Sequence, residues 1–363
     1  MCGLNPRSRL VLAKLEVTPG TDPIPVPGTD DLFVSMDSDG IKLGVTQVGN
    51  EPASPTGYEL PAAIATIKPT ATYRIPLYGK GLSTGVPVLP RWLSVILASC
   101  GHVNLNAGSP AGSEVIWTPD SIYPRTTAVG GAITAQKCTF TVYDYLARDG
   151  AITGGVGGGT KILQAMVGCR VSQARIVLTV GQWAFLEVDI LGLSVQPVAS
   201  TTDLSGADLD DVRTDFVRAN AAQSQINFGA SYGNAIAMQS QSTTWTIDFG
   251  ATQEEGDTTS AGVATVGTRQ ALVTASLNPI QATANIDNLA NAQFDQKDGA
   301  YSMAGSMTPE GRTVNTGYTL KVAAPAVQIV FDYDTTGSVV RLPTTAKAVS
   351  ADSTTPPISI TLS

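Results

Sequence analysis

Ser–His–Asp and Cys–His chemistry both need an imidazole, and His102 is the only histidine in the chain. It follows directly on a helix-patterned run, where a histidine serves as a cap on the terminal carbonyls. No GxSxG is present. The four cysteines, Cys2, Cys100, Cys138 and Cys169, are widely spaced without a CxxC pair. That is neither zinc-ligand spacing nor a disulfide framework, so they read as reduced, mostly buried thiols.

"GGVGGGTK" (154–161) raises the question of a phosphate loop. Gly154 and Gly159 have the required spacing, but Thr160 and Lys161 stand in the wrong order. The residues after it are β-patterned, so no helix N-terminus supplies free N–H groups to an anion. The stretch reads as a connection between strands. Asp203, Asp208, Asp210, Asp211 and Asp215 lack the calcium-loop spacing and its closing glutamate, and read as a solvated connector. "EE" (254–255) and "DYD" (332–334) offer paired carboxylates, but in a chain with 30 acidic residues such pairs arise by chance. Tyr143, Tyr145 and Trp183 lie in alternating strand patterns and read as packing residues. No catalytic, cofactor-binding or metal-binding residue emerges, and the expectation is a protein that is not an enzyme and has no cofactor.

The elements that would carry these residues are strands. Only 14% of the 363 residues are charged and 43% are hydrophobic, which excludes a disordered chain. Thirty-six glycines and 22 prolines punctuate short Val/Ile/Thr/aromatic runs, the signature of an all-β protein. Leu10, Leu12, Lys14 and Glu16 alternate with Val11, Ala13, Leu15 and Val17 in a first strand. Four prolines and two glycines then break regular structure over 18–31. "DLFVSM" (31–36) reads as a strand, and 37–60 as an excursion loop with a short strand at 41–48. "TATYRIPLYGKG" (70–81) alternates, with Pro76 at an edge or end position. "LPRWLSVILASCG" (89–101) is the clearest helix: Leu89, Trp92, Leu93, Ile96, Leu97 and Cys100 share a face, and Gly101 supplies the stop. Cys138, Phe140, Val142 and Asp144 line one side of a further strand. Ala174 to Val180 and Trp183 to Leu191 form a hairpin about Gly181–Gln182.

After an acidic linker over 196–220 the pattern starts again. "STTWTIDFG" (242–250) matches "DLFVSM", and the polar stretch 251–267 stands in the place of the first long loop. "RQALVTASLNP" (269–279) matches "TATYRIPLYGK", and 286–299 is a weak counterpart of the helix. "YTLKVAAPAVQIVFDYDTTGSVVRLPTTA" (318–346) parallels 168–190. The expectation is two tandem β domains, 1–195 and 221–363, each a sandwich or barrel with one short helix.

The net charge of −8, from 22 basic and 30 acidic residues, lacks the cationic footprint that grips phosphate backbones. The apolar run after Arg7 and Arg9 is interrupted by Lys14 and Glu16, too short for a signal sequence. No stretch approaches the roughly 20 apolar residues of a membrane span. These features point to assembly in a cytoplasm.

"LAKLEVTPGTDPIPVPGTDDLFV", "LPRWLSVILASCG", "FTVYDYLARDG" and strands ending in "VDILGL" occur in an order that resembles the phage major tail (tail tube) proteins. The resemblance covers most of residues 10–195, and the second half follows the same order more loosely; "GGVGGG" replaces the family's more usual polar turn. It implies a structural virion protein whose rings stack into a hollow tail through which DNA passes without specific binding. It also implies assembly in the host cytoplasm and, as partners, a tape measure protein with tail terminator and distal tail proteins. Rings in that family are commonly six-fold with one tube domain per subunit. Two domains per chain would therefore make a trimeric ring of pseudo-six-fold symmetry, and one domain per chain a hexamer. The alternative from another class is a surface or secreted β-sandwich adhesin that binds glycans. For a conduit, an acidic inner wall is expected, because attraction to phosphates would stall passage.

Overall fold

Period-2 patterning in branched and aromatic residues produces strands, and the computed structural model of the chain is mainly β. It describes residues 9–48, 63–78, 89–107, 114–119, 139–147, 161–179, 181–200, 202, 204, 217–226, 236–237, 240–255, 263–267, 271–279, 307–313, 319–324, 326–332, 334–336, 341, 343–350 and 356–362. In chain order the strands are β1 (Arg9–Leu15), β2 (Asp31–Leu32), β3 (Gly40–Val48), β4 (Ala63–Pro76), β5 (Gly101–Ala107), β6 (Glu114–Pro119) and β7 (Phe140–Ala147). There follow β8 (Lys161–Thr179), β9 (Phe185–Leu191), β10 (Ser194–Ser200), β11 (Val217–Ile226), β12 (Ile236–Ala237), β13 (Ser240–Asp248) and β14 (Thr252–Glu255). The last are β15 (Val263–Gly267), β16 (Leu272–Pro279), β17 (Met307–Thr313), β18 (Thr319–Ala323), β19 (Ala326–Phe331), β20 (Thr344–Val349) and β21 (Ser359–Leu362).

A 12-stranded sheet follows the path β19-β20-β16-β13-β8-β7-β1-β2, with β10 also on β8 and β3-β4-β9 joined to β8 through β9. A seven-stranded sheet runs β12-β11-β17-β18-β21-β6-β5, and β14 and β15 form a separate ribbon. Buried side chains from both sheets and the helix, among them Trp92, Trp117 and Trp245, belong to one core cluster. This is a β-sandwich. Strands from both halves of the sequence share both sheets, through β8 with β13 and β6 with β21.

The larger sheet turns on β8. Its first residues pair with β10 as far as Val167 and with β7 as far as Cys169, and those from Arg170 onward pair with β9 and β13. Gly168 lies between, at φ +65, where a Cβ would meet Leu193 Cδ1 at 2.4 Å. Only glycine satisfies both demands. The Gly168 N–H donates to Glu16 Oε1 at 2.7 Å. The same buried carboxylate accepts from the Thr141 hydroxyl at 2.7 Å, the Gly20 N–H at 2.6 Å and the Thr139 hydroxyl. Charge-assisted bonds of this kind fix the end of β1, β7 and the bend in β8 to one another.

The helix is real but differs from its expected form. Trp92–Leu97 is a π-helix followed by a 3-10 turn at Ala98–Cys100. Trp92, Leu93, Val95, Ile96, Leu97 and Ala98 are all buried, so it is enclosed rather than one-faced. The Trp117 indole donates to the Leu97 carbonyl at 2.7 Å, and Ser99 Oγ to the Ile96 carbonyl at 2.6 Å. Gly101 is extended, at φ −162, so it is no left-handed stop. A Cβ there would lie 2.2 Å from Trp117 Nε1, so close approach is what requires glycine.

Other boundaries move as well. The strand expected at 41–48 within the first excursion loop is β3 (Gly40–Val48), whereas only Asp31–Leu32 of "DLFVSM" is strand. The start of the expected acidic linker is strand β10, Ser200 is paired opposite Lys161, and 217–220 belongs to β11. Residues 205–216, the weak second helix at 286–299, the glycine loop up to 160, Cys2 and Cys138 lie outside the described residues.

Candidate functional site

His102 lies in β5 opposite Thr118, a strand residue rather than a helix cap. Lys161 opens β8, is buried, and donates from Nζ to the Thr202 carbonyl at 3.0 Å. A strand and not a helix follows it. Tyr143 and Tyr145 pack edge to face, 6.1 Å between centroids, in a small cluster with Leu10, Leu12 and Leu204. Trp183 packs against the main core. Asp334 lies in the β19–β20 connection, where the Thr336 N–H and hydroxyl donate to Oδ1 at 3.0 and 2.6 Å. Those bonds hold its carboxyl below the usual range. Cys100 and Cys169 are not joined in disulfides, and burial raises the Cys169 thiol well above its ordinary value. Apart from the Tyr143–Tyr145 pair, the structure does not gather these residues into a site. Among the described residues no three His, Cys, Asp or Glu side chains are gathered as metal ligands, and no helix is long and apolar enough to cross a membrane.

What the topology does build is a broad polar face. Eight strands of the larger sheet run side by side as β3-β4-β9-β8-β13-β16-β20-β19. All seven contacts are antiparallel. The first four strands appear in the order first, second, fourth, third of their sequence order, and the last four repeat that order. One side is buried: Tyr73 and Ile75, Leu186 and Val188, Ala174 and Ile176, Trp245 and Ile247, Val273 and Ala275, Ala346 and Ala348. Because side chains alternate along a strand, the other side presents Thr72, Arg74, Glu187, Asp189, Gln173, Arg175, Thr244, Thr246, Thr274, Ser276, Thr345 and Lys347, all partly or largely exposed.

A charge ladder crosses its first half. Arg74 on β4 stands opposite Glu187 on β9, which stands opposite Arg175 on β8. Glu187 is 3.4 Å from Arg74 Nε and 3.8 Å from Arg175 Nε. Arg175 Nη2 also donates to Asp189 at 3.0 Å, and the Thr72 hydroxyl donates to the other Asp189 oxygen at 2.9 Å. Arg74 lies 3.5 Å from Asp37 and stacks 4.0 Å over the Phe185 ring. Each guanidinium is thus held by carboxylates, in half-exposed positions where such pairs contribute little stability. The sequence showed the hairpin of 174–180 with 183–191, but not that β4 lies beside β9, so the full ladder was not legible in it.

Behind the sheet lies a buried polar group. Asp144 on β7 accepts from the Tyr73 hydroxyl at 3.1 Å and pairs with Arg9 Nε at 3.1 Å. Arg9 also donates to the Ser38 carbonyl at 2.6 Å. Burial pushes the Asp144 carboxyl up, against the opposing pull of Arg9. Gly40, at φ +77, allows the approach, since a Cβ there would meet Arg9 Nη2 at 2.4 Å. The group ties β1, β4 and β7 to the start of β3.

No family model matches the chain, and no curated protein matches it in sequence.

Proposed function

We propose that the protein is a structural subunit of a phage tail tube, assembling into stacked rings around a lumen that DNA traverses. The observation that carries this is the eight-stranded run with its repeated strand order and two open edges. Among the described residues β3 pairs only with β4, and β19 only with β20. With an even number of alternating strands the two edges run in opposite directions. β19 of one copy can then meet β3 of the next in the antiparallel sense in which β8 meets β13 within the chain. Closing the circle removes both edges, which otherwise invite uncontrolled pairing.

Two tandem units per chain make this ring a trimer with pseudo-six-fold symmetry. Three copies would close roughly two dozen strands spaced about 4.8 Å apart, giving a backbone radius of about 18–24 Å depending on tilt. Sheets closed from far fewer strands already enclose aqueous channels. The buried side of the run is covered by the second sheet and the helix, so the threonine-rich polar side faces the lumen.

That wall is not acidic, contrary to what net charge suggested. Lys42, Arg74, Arg175 and Lys347 share it with Glu187, Asp189 and Asp248. The guanidiniums of Arg74 and Arg175 are instead engaged by carboxylates, so a passing phosphate meets a neutralised surface. Negative-stain microscopy of the purified protein tests the proposal. Hollow tubes or annular discs are expected, and dispersed particles under all conditions would contradict it.

A further inference from the structure

The two halves of the chain meet a further time outside the two large sheets. β13 ends at Asp248, and the chain turns there. The Phe249 N–H donates to the Ser172 carbonyl at 2.9 Å, and the Gly250 N–H to Asp248 Oδ1 at 2.7 Å. Phe249 is buried in the main core, while Gly250 sits at φ +55, in left-handed backbone that favours glycine. Beyond this turn β14 and β15 pair only with each other, from Thr252 opposite Gly267 to Glu255 opposite Val263. A two-stranded ribbon on its own is marginal in water. Thr252 and Glu254 are exposed, and the Thr252 hydroxyl donates to Glu254 at 3.0 Å. Gln253, on the other side of the strand, donates from Nε2 to the Pro69 carbonyl at 2.9 Å and to the Gly192 carbonyl at 2.8 Å. Among the described residues no other hydrogen bond or ion pair joins the ribbon to the rest of the chain.

We infer that the β14–β15 ribbon is a hinged strap, which swings as one unit about Phe249–Gly250 and is latched onto the first half by the Gln253 side-chain amide. The hinge has a fixed side and a free side. Phe249 is held by the core and by Ser172, and everything beyond Gly250 bonds within the ribbon except Gln253. The latch closes where β4 meets the β9–β10 turn. The Pro69 carbonyl there also accepts from the Gly192 N–H at 3.1 Å, so it keeps a partner when Gln253 leaves. The Gly192 carbonyl passes to water. Latched, the strap ties the second half to β4 and to the β9–β10 turn. Released, it leaves the β8–β13 and β6–β21 pairings in place. The strap therefore adjusts the hold between the halves without unpairing either sheet. This holds for the single chain, whether or not rings form. Segments with few buried contacts and one side-chain anchor open locally at far lower free energy than the strands of a core.

Amide hydrogen exchange on the full chain, read by mass spectrometry, provides the test. In the wild type the β14 and β15 amides should exchange together and faster than those of β13 and β16. Gln253→Ala, and Gln253→Glu, which keeps the size but loses both donors, should speed ribbon exchange about tenfold or more. β13 and β16 should keep their wild-type rates in both variants. Gly250→Ala penalises the left-handed turn and should also speed the ribbon, whereas Gly250→Asn, which tolerates that backbone, should do so less. Ribbon exchange unchanged in both Gln253 variants would overturn the latch. Acceleration of β13 and β16 along with the ribbon, or a ribbon indifferent to Gly250→Ala, would overturn the hinge.

Discussion

Asp144 is the residue whose behaviour the structure constrains most. Burial raises its carboxyl above the ordinary value of 3.8 despite Arg9. The folded state therefore keeps the proton to higher pH than the unfolded state does. Across the window from 3.8 up to the raised value, stability should fall as pH rises. Asp144→Asn lacks this titration, so it should gain on the wild type as pH increases through the window, read by thermal melts at matched pH values. Gly101→Ala tests a different constraint. Its Cβ would meet Trp117 Nε1 at 2.2 Å and the Thr118 carbonyl at 2.4 Å. A loss of about 1–3 kcal/mol is expected in denaturant unfolding. The sequence placed Asp144 on the same side of its strand as Phe140 and Val142 but could not supply Arg9 or Tyr73, which arrive from distant segments. It likewise marked Gly101 as special for the wrong reason, since a helix stop and a tight indole contact call for the same residue.

At the scale of elements, strands with clear alternation such as β1, β8 and β9 were legible because the period-2 signal is local, whereas β10 was read as linker and β14 and β15 as a polar stretch. The strand read at 41–48 is the 9-residue β3, although Lys42, Gly44 and Thr46 make its alternation polar. The helix was found from its apolar content, yet its π form was not, since enclosure by two sheets overrides the expectation of a single buried face. The β8–β9 hairpin was readable as a pair of neighbours, but that β4 lies beside β9 was not, and the full charge ladder depends on it. Its function can be separated from stability. Glu187→Ala should change unfolding free energy by less than about 1 kcal/mol, because its pairs are half exposed. The same substitution removes the carboxylate that Arg74 and Arg175 share on the proposed lumen wall, leaving Arg74 with Asp37 and Arg175 with Asp189. A salt-sensitive DNA shift should then appear in the variant and be absent from the wild type. Equal behaviour of the two proteins would remove the ladder from any role in DNA passage.

For the whole molecule, the order of elements along the sequence suggested a pattern traversed twice, and the sheet repeats one strand order twice. The two halves do not sit apart on a linker, because β8 pairs with β13 and β6 with β21. A sequence cannot display this, since composition falls into acidic connectors whether or not the flanking strands pair. In the proposed assembly the β8–β13 contact is the template for the contact between chains. With the six-fold rings that the resemblance implies, two repeats of this strand order per chain give three chains per ring. Cryo-microscopy of assembled tubes, with native mass spectrometry of single discs, measures that count. Three chains per ring are predicted, with β19 of each beside β3 of the next; six identical chains per ring, or rings whose junctions leave β3 and β19 unpaired, would contradict the account.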